Sequence, residues 1–191
     1  MQFKNKLTGS IRSKTILAVA LLASTLVIAA QTVTAADKPN FILIITDDAG
    51  YADFGFMGSK EMKTPNMDKL AYDGVIFTQA YAGPSCSPSR CALLTGRYQQ
   101  RYGFGRNCGS SFNGPNNGLP AGVQTIPMDL KKLGYHTAAI GKWHQGATAG
   151  VNQPQDVDFD EFWGILSGSR PYFGEAKGPK AIWRGRVPDP G

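Results

Sequence analysis

Residue types that often build sites are scarce in this chain. Its 191 residues include 3 cysteines, 2 histidines and 3 tryptophans. Because none of the cysteines stands in a Cys-x-x-Cys pair, the sequence does not support a structural zinc site. Glycine and proline, at 23 and 12 residues, stay below the share typical of low-complexity chains. With 42% apolar residues, the composition indicates a folded, loop-rich globular protein.

Acidic residues are outnumbered by basic ones, 14 against 20, and the resulting formal charge of +6 raises the question of an anionic partner. Four of the basic residues precede an uncharged, largely apolar run over residues 15–30: Lys4, Lys6, Arg12 and Lys14. Small residues follow at 33–36, and this order predicts a secretory signal peptide over residues 1–36. A membrane anchor is the alternative, but the run is shorter than the roughly 20 residues that cross a bilayer.

Removal of the predicted signal peptide would lower the net charge of the protein. Residues 37–191 keep 16 basic and 14 acidic residues, a formal charge of +2, and show no Lys/Arg cluster. A nucleic-acid partner would need such a cluster on a folded face. We therefore expect no nucleic-acid partner, no stable membrane anchor and a periplasmic or extracellular location.

Alternating strand and helix signals predict an α/β fold with a largely parallel central sheet. Continuous apolar runs predict buried strands, and proline at the first turn or glycine after the last turn marks the helices. On this basis we expect strands over 41–46, 75–82 and 136–140, and helices over 65–73, 89–95 and 126–133. Residues 105–122 read as a long loop, and the segment after Ser167 shows little periodicity.

Polar residues follow each expected strand. Asp47 and Asp48 come after the first, Cys86 after the second, and Lys142 to His144 after the third. In open α/β sheets, ligands bind beyond the carboxyl ends of the strands. We therefore expect these three clusters to meet at one edge of the sheet and to form an active site.

Each cluster has its own chemistry. The two aspartates supply hard oxygen ligands that suit Ca²⁺ or Mg²⁺, although a solvated turn or a helix cap is the alternative. In the segment 86–90 (CSPSR), Ser87 can cap a helix beginning at Pro88, which would leave Cys86 just outside an anion-attracting end. Lys142 supplies a cation for an anionic substrate, and His144, two residues on in an extended segment, would point the same way.

The cysteines leave several alternatives open. Cys86 can also be a buried structural thiol or one half of a disulfide, and Cys91 lies too far around a helix to bridge to it. Cys108 can pair with Cys91. A zinc site built from the three cysteines and His144 is conceivable, although their spacing does not support it.

Several segments resemble those of the type I, formylglycine-dependent sulfatases of the alkaline-phosphatase-like superfamily. They are 39–48 (PNFILIITDD), 86–90 (CSPSR), 94–97 (LTGR), 141–144 (GKWH) and 159–164 (FDEFWG), in the family's order and spacing. The resemblance spans residues 38–173. It implies that residues 37–191 are the N-terminal part of a sulfatase catalytic domain. The implied fold is an alkaline-phosphatase-like α/β sandwich with a largely parallel central sheet flanked by helices, incomplete at the C-terminus.

The resemblance also implies a mechanism. A maturase would oxidise Cys86 to formylglycine, whose hydrated aldehyde attacks the sulfur of a sulfated small molecule or carbohydrate. Asp47, Asp48 and the modified Cys86 would bind Ca²⁺, with Mg²⁺ less suited. Arg90 would steady the formylglycine, Lys142 would hold oxygens of the sulfate and the formylglycine, and His144 would hydrogen-bond the formylglycine.

The chain also departs from the family pattern. Gln145 stands where the family usually has leucine and Cys91 where alanine is common, and we expect both to affect packing more than chemistry. Family members are generally more than twice as long, so further metal ligands, a second sulfate-binding lysine and the histidine that protonates the leaving group are expected beyond these residues. A phosphonate or phosphodiester hydrolase of the same superfamily and a non-catalytic secreted fragment are the alternative functions.

Overall fold

The computed structural model describes residues 38–108 and 117–189. The chain divides into two compact units, residues 1–46 and residues 47–191. The predicted signal peptide, residues 1–36, lies outside the described residues. Among the described residues, none of the helices has the length and apolar character needed to span a membrane.

The expected strands over 41–46 and 75–82 are not formed. Both segments are extended backbone outside any sheet, and their apolar side chains are exposed, Ile42 by 87% and Val75 by 81%. An apolar run becomes a strand when its backbone groups pair with a neighbouring strand, and the four strands of the described residues all lie between 138 and 188. Apolar composition alone was therefore not enough to predict the strand.

The sheet is mixed. It comprises β1 (Ala138–Lys142), β2 (Glu161–Ile165), β3 (Trp183–Arg184) and β4 (Val187–Pro188), in that spatial order. The β1–β2 pair is parallel, while β2–β3 and β3–β4 are antiparallel. The largely parallel sheet that we expected is thus parallel at one of its three described pairings, because the segment after Ser167 folds into a tight hairpin.

Two glycines allow β1 and β2 to approach closely. Gly141 lies opposite Gly164 in the ladder, and a Cβ added to Gly164 would stand 1.9 Å from the carbonyl oxygen of Gly141. Gly141 also has a φ of +102°, a conformation that favours glycine. Lys142, the last residue of β1, is positioned by this pairing.

The helices agree with the sequence signals. They are α1 (Pro65–Tyr72), α2 (Cys86–Thr95) and α3 (Ile126–Lys132). Gly96 ends α2 in the left-handed conformation, as its position after Thr95 predicts. The start of α2 differs from the prediction, because the helix begins at Cys86 rather than after Ser87.

The core packs around the residues that follow β1. Its buried apolar members are Cys91, Phe104, Leu119, Trp143, Val157, Phe162 and Leu166. Trp143 meets the ring of Phe159 edge-on at 6.0 Å, and its indole N–H donates to the carbonyl of Asn152 at 2.8 Å. Because both the ring and the indole N–H of Trp143 have fixed partners, the backbone at this residue has little freedom to move. Trp143 thereby fixes the positions of its two neighbours, Lys142 and His144.

Candidate functional site

Asp47 is the centre of a cluster of charged side chains. Lys142 Nζ lies 2.8 Å from its Oδ2 and 3.0 Å from its Oδ1, and Arg90 Nη2 lies 2.7 Å from Oδ2. Partial burial raises the pKa of Asp47, but the hydrogen bonds and charges of Lys142 and Arg90 outweigh this effect and hold that pKa below its ordinary value. Asp47 is therefore a carboxylate at neutral pH, held between two cations.

Arg90 joins α2 to the end of β1. Its side chain is 14% exposed, and Nη1 donates to the carbonyl oxygen of Lys142 at 2.5 Å while Nη2 contacts Asp47. The planar guanidinium can make two such bonds in fixed directions at once. Since Arg90 lies four residues after Cys86, both side chains project from the same face of α2.

The thiol of Cys86 lies beside this cluster. Its Sγ is 3.2 Å from Lys142 Nζ and 3.9 Å from Asp47 Oδ1. The sequence prediction placed Cys86 outside the helix with Ser87 as the cap, and this is wrong: Cys86 is the first residue of α2, and Ser85 takes the cap position. The Ser87 hydroxyl instead accepts the backbone N–H of Cys108 at 3.1 Å, and the Ser87 N–H donates to Asn107 Oδ1 at 2.9 Å.

The structure brings three potential metal ligands together. They are Asp47, Asp48 and Cys86, and one ligand atom from each lies within 4.8 Å of the other two. Among residues 38–108 and 117–189, no other three histidine, cysteine or acidic side chains come this close together. Asp48 adopts a left-handed φ of +58°, which aspartate tolerates better than most residues. The carboxylates are hard ligands suited to Ca²⁺ or Mg²⁺. If an oxygen replaced the Cys86 sulfur, all three ligand atoms would be oxygens.

The other two cysteines do not join a metal site. Cys91 and Cys108 are free thiols in this structure, as is Cys86, so the disulfide that we considered is not formed. Burial raises the pKa of Cys91 to about 11 and also raises that of Cys108. The zinc site that we considered is not formed, because among the described residues the potential ligands close enough to hold one metal ion are Asp47, Asp48 and Cys86. Cys91 is buried and Cys108 is half-buried, both as neutral thiols.

His144 is buried next to the charged cluster. Its φ is +56°, so the chain leaves the extended conformation there, and the argument that residues two apart point the same way does not apply to Lys142 and His144. Its backbone N–H donates to the carbonyl of Leu166 at 3.1 Å. Burial, followed by the charges of Lys142 and Arg90, lowers the pKa of His144 to about 4. The imidazole is therefore neutral at physiological pH.

Two residues that contact this site, Gly168 and Gln145, were not predicted as site residues from the sequence. Gly168 lies against the imidazole, because a Cβ added to it would stand 2.4 Å from His144 Cε1. Gln145 is fully buried, and its Nε2 donates at 2.8 Å to the carbonyl oxygens of both Ser87 and His144. The substitution of glutamine for the usual leucine was a visible signal for Gln145, whereas nothing in the sequence around Gly168 singled it out.

Comparison with known proteins identifies the family. The model of the sulfatase family matches residues 39–179. The chain belongs to the sulfatase family. It is 44% identical over 154 residues to mouse (Mus musculus) steryl-sulfatase, a match that covers 74% of this chain and 25% of that protein. The resemblance read from the short motifs is therefore confirmed.

Solved structures of sulfatases and related proteins are also similar to this chain. Ps i-CgsB matches with a TM-score of 0.66 and 46% identity, over 72% of this chain and 30% of its own. BT4656, solved with its substrate D-glucosamine-2-N,6-O-disulfate, matches with a TM-score of 0.54 and 35% identity, over 69% of this chain and 24% of its own. These likenesses confirm the expected alkaline-phosphatase-like α/β fold. The chain spans about a quarter of the length of the curated sulfatase it matches.

Proposed function

We propose that the protein containing this chain hydrolyses sulfate esters, with Cys86 as the precursor of its nucleophile. The observation that carries the proposal is the position of the Cys86 sulfur, 3.2 Å from Lys142 Nζ and beside the Asp47 carboxylate that Arg90 also contacts. A sulfate ester is anionic, and its sulfur is attacked most easily where fixed cations surround its oxygens. The membership of the chain in the sulfatase family supports the same reaction.

Lys142 and Arg90 supply the fixed cations. Their side chains are 16% and 14% exposed, so water screens them less than it screens surface charges. We propose that Lys142 binds oxygens of the sulfate, since its ammonium already lies between the group at position 86 and Asp47. Arg90 holds the backbone of Lys142 and the carboxylate of Asp47, and so fixes the direction from which the cations act.

The ligand chemistry favours a hard metal ion once Cys86 carries oxygen. Asp47, Asp48 and a formylglycine made from Cys86 would hold Ca²⁺, and the formylglycine would supply a hydrated aldehyde hydroxyl as nucleophile while the ion adds positive charge at the sulfate. The thiol itself is a soft ligand and suits Ca²⁺ poorly. A formylglycine-generating maturase is therefore the protein partner that we propose.

His144 contributes as a neutral group. Because its pKa lies at about 4, the imidazole can offer one N–H donor and one nitrogen acceptor at neutral pH. We propose that it hydrogen-bonds the modified residue 86. Its backbone is fixed by Leu166 and its ring by Gly168, so the ring has little freedom to turn away.

A sulfated carbohydrate is the substrate class that we propose. The similar structure of BT4656 was solved with a disulfated glucosamine as its substrate, and a signal peptide over residues 1–36 would export this protein to where such sugars occur. The substrate would therefore be met in the periplasm or outside the cell.

Hydrolysis by the full-length protein, co-expressed with a maturase, tests this proposal. An aryl sulfate, an aryl phosphate, a phosphodiester and a phosphonate ester are compared for the wild type, Cys86→Ala and Cys91→Ala. We expect the aryl sulfate to be cleaved fastest, Cys86→Ala to abolish cleavage, and Cys91→Ala, a matched loss of one thiol, to retain it. Faster cleavage of a phosphorus ester, or activity that survives Cys86→Ala, would overturn the proposal.

A further inference from the structure

Gln145 connects the two segments that carry the candidate site. Its side chain is 0% exposed, and its Nε2 donates to the carbonyl oxygen of Ser87, in the first turn of α2, and to that of His144. The backbone carbonyl of Gln145 accepts the backbone N–H of Leu119 at 2.9 Å. One side chain thus bridges the residue after Cys86 and the segment that follows Lys142.

The orientation of the Gln145 amide is fixed by its neighbours. Two carbonyl oxygens face the same atom, and only the NH₂ group can donate to both. Within the described part of the chain, Gln145 Oε1 is buried with no hydrogen-bond partner. A buried acceptor without a partner is unfavourable, and an apolar side chain of similar size would remove it. The same change would take the Nε2 donor from the carbonyl oxygens of Ser87 and His144, so the two effects on stability oppose each other.

Ser87 is held on its other sides as well. Its N–H donates to Asn107 Oδ1, and its hydroxyl accepts the N–H of Cys108. The Cys108 thiol in turn lies 3.7 Å from the carbonyl oxygen of His144. These contacts hold the first turn of α2 against residues 107–108, and the Gln145 amide adds a direct bond from the end of β1.

We propose that Gln145 is a positioning residue that sets the separation between residue 86 and the side chains of Lys142 and His144. The inference rests on the proposed function of Cys86, but it concerns the geometry of the site rather than the reaction. Displacing a reacting group by about 1 Å can lower a rate by as much as about a hundredfold. The bond from Gln145 to Ser87 acts one residue from the reacting group.

Gln145→Leu in the full-length, matured protein tests the proposal, with Gln145→Met as a second variant that keeps an unbranched side chain. Gln153→Leu is the matched control, because Gln153 is 4% exposed and its Nε2 donates to Ala147, away from α2. We expect the two Gln145 variants to lower kcat for an aryl sulfate about tenfold, with little change in KM and a smaller fall in Tm than that of Gln153→Leu. Gln153→Leu should lower Tm, since Gln153 caps the short 3₁₀ helix Pro154–Val157, but leave kcat unchanged.

A second measurement does not depend on activity. In protein made without maturase, where residue 86 keeps its thiol, hydrogen exchange in the peptide over 86–95 should be faster in Gln145→Leu than in the wild type. Exchange in the peptide over 161–165 should be unchanged.

These results separate the two proposals. If the matured wild type releases no sulfate, the proposed function fails, and the exchange result alone decides the role of Gln145. Unchanged kcat and unchanged exchange in Gln145→Leu would overturn the inference. So would a fall in Tm that matches that of Gln153→Leu and accounts for the lost activity.

Discussion

Replacing Arg90 with lysine separates the charge of this residue from its geometry. The variant keeps a cation near Asp47, but an ammonium is a single point charge and cannot reproduce the planar fork of a guanidinium. In the wild type, Nη1 donates to the carbonyl of Lys142 at 2.5 Å and Nη2 to Asp47 at 2.7 Å. A lysine at this position can keep one of these two contacts at most.

The magnitude follows from the contact that is lost. A hydrogen bond that involves a charged group contributes about 1.5–3 kcal/mol, and Arg90 is sufficiently buried for this range to apply. Since each 1.4 kcal/mol corresponds to about a factor of ten, losing one contact predicts a fall in kcat/KM of roughly 10- to 150-fold. The fall in kcat/KM should be larger in Arg90→Ala, which removes both contacts and leaves Asp47 paired with Lys142 only.

The assay is aryl sulfate hydrolysis by the full-length, matured protein. Rates are divided by the fraction of residue 86 that mass spectrometry shows as formylglycine, because Arg90 lies one helical turn from residue 86 and its replacement can change the extent of conversion. Arg184→Lys is the matched control, since Arg184 is exposed and its Nε lies 3.6 Å from an Asp189 oxygen. A corrected kcat/KM for Arg90→Lys within twofold of the wild type would refute the bridging role of Arg90.

Three further predictions concern His144 and the metal ligands. Gly168→Ala would place a Cβ 2.4 Å from His144 Cε1, so the ring must move and kcat should fall about tenfold, whereas Gly105→Ala, which meets open space, should leave kcat unchanged. The pKa of His144 is about 4 in the folded state and 6.5 as a free side chain, so the unfolded chain binds the extra proton as pH falls from 6.5 to 4. The free energy of unfolding, measured by urea titration in EDTA, should therefore drop by about 3 kcal/mol over that window. The drop should be smaller in His144→Gln, and equal drops in the two proteins would show that it does not come from His144. Chelation should abolish sulfate release, and Ca²⁺ should restore it at lower concentration than Mg²⁺, with a rise in Tm that Asp48→Asn weakens; activity that persists in EDTA would contradict a metal bound by Asp47 and Asp48.

Much of the candidate site could be predicted because its residues stand in short segments with strong local signals. Proline and glycine mark both ends of α1 and α3 and the end of α2 almost to the residue, since their backbone preferences are independent of the rest of the fold, whereas the start of α2 was predicted too late. The structure brings Asp47, Cys86, Arg90 and Lys142 together as expected, but not through three adjacent strands. Their contacts depend on the reach of the Arg90 and Lys142 side chains to Asp47.

What could not be predicted depends on partners distant in the sequence. The apolar run over 41–46 has the composition of a buried strand, yet a strand requires a neighbour with free backbone groups, which composition does not encode. Ser87 has the side chain of a helix cap, but its hydroxyl is taken by Cys108, 21 residues later. The β3–β4 hairpin follows a segment without periodicity, and each of its strands has two residues, too few for an alternating pattern.

Mass spectrometry of the peptide that contains residue 86 shows whether Cys86 is the precursor of the nucleophile. The full-length protein is expressed with and without a maturase, and sulfate release is measured on the same preparations. We expect the Cys86 thiol to be replaced by an aldehyde only in the first preparation, and sulfate release to rise in proportion to the converted fraction. An active preparation in which Cys86 remains an unmodified thiol would contradict this role of Cys86.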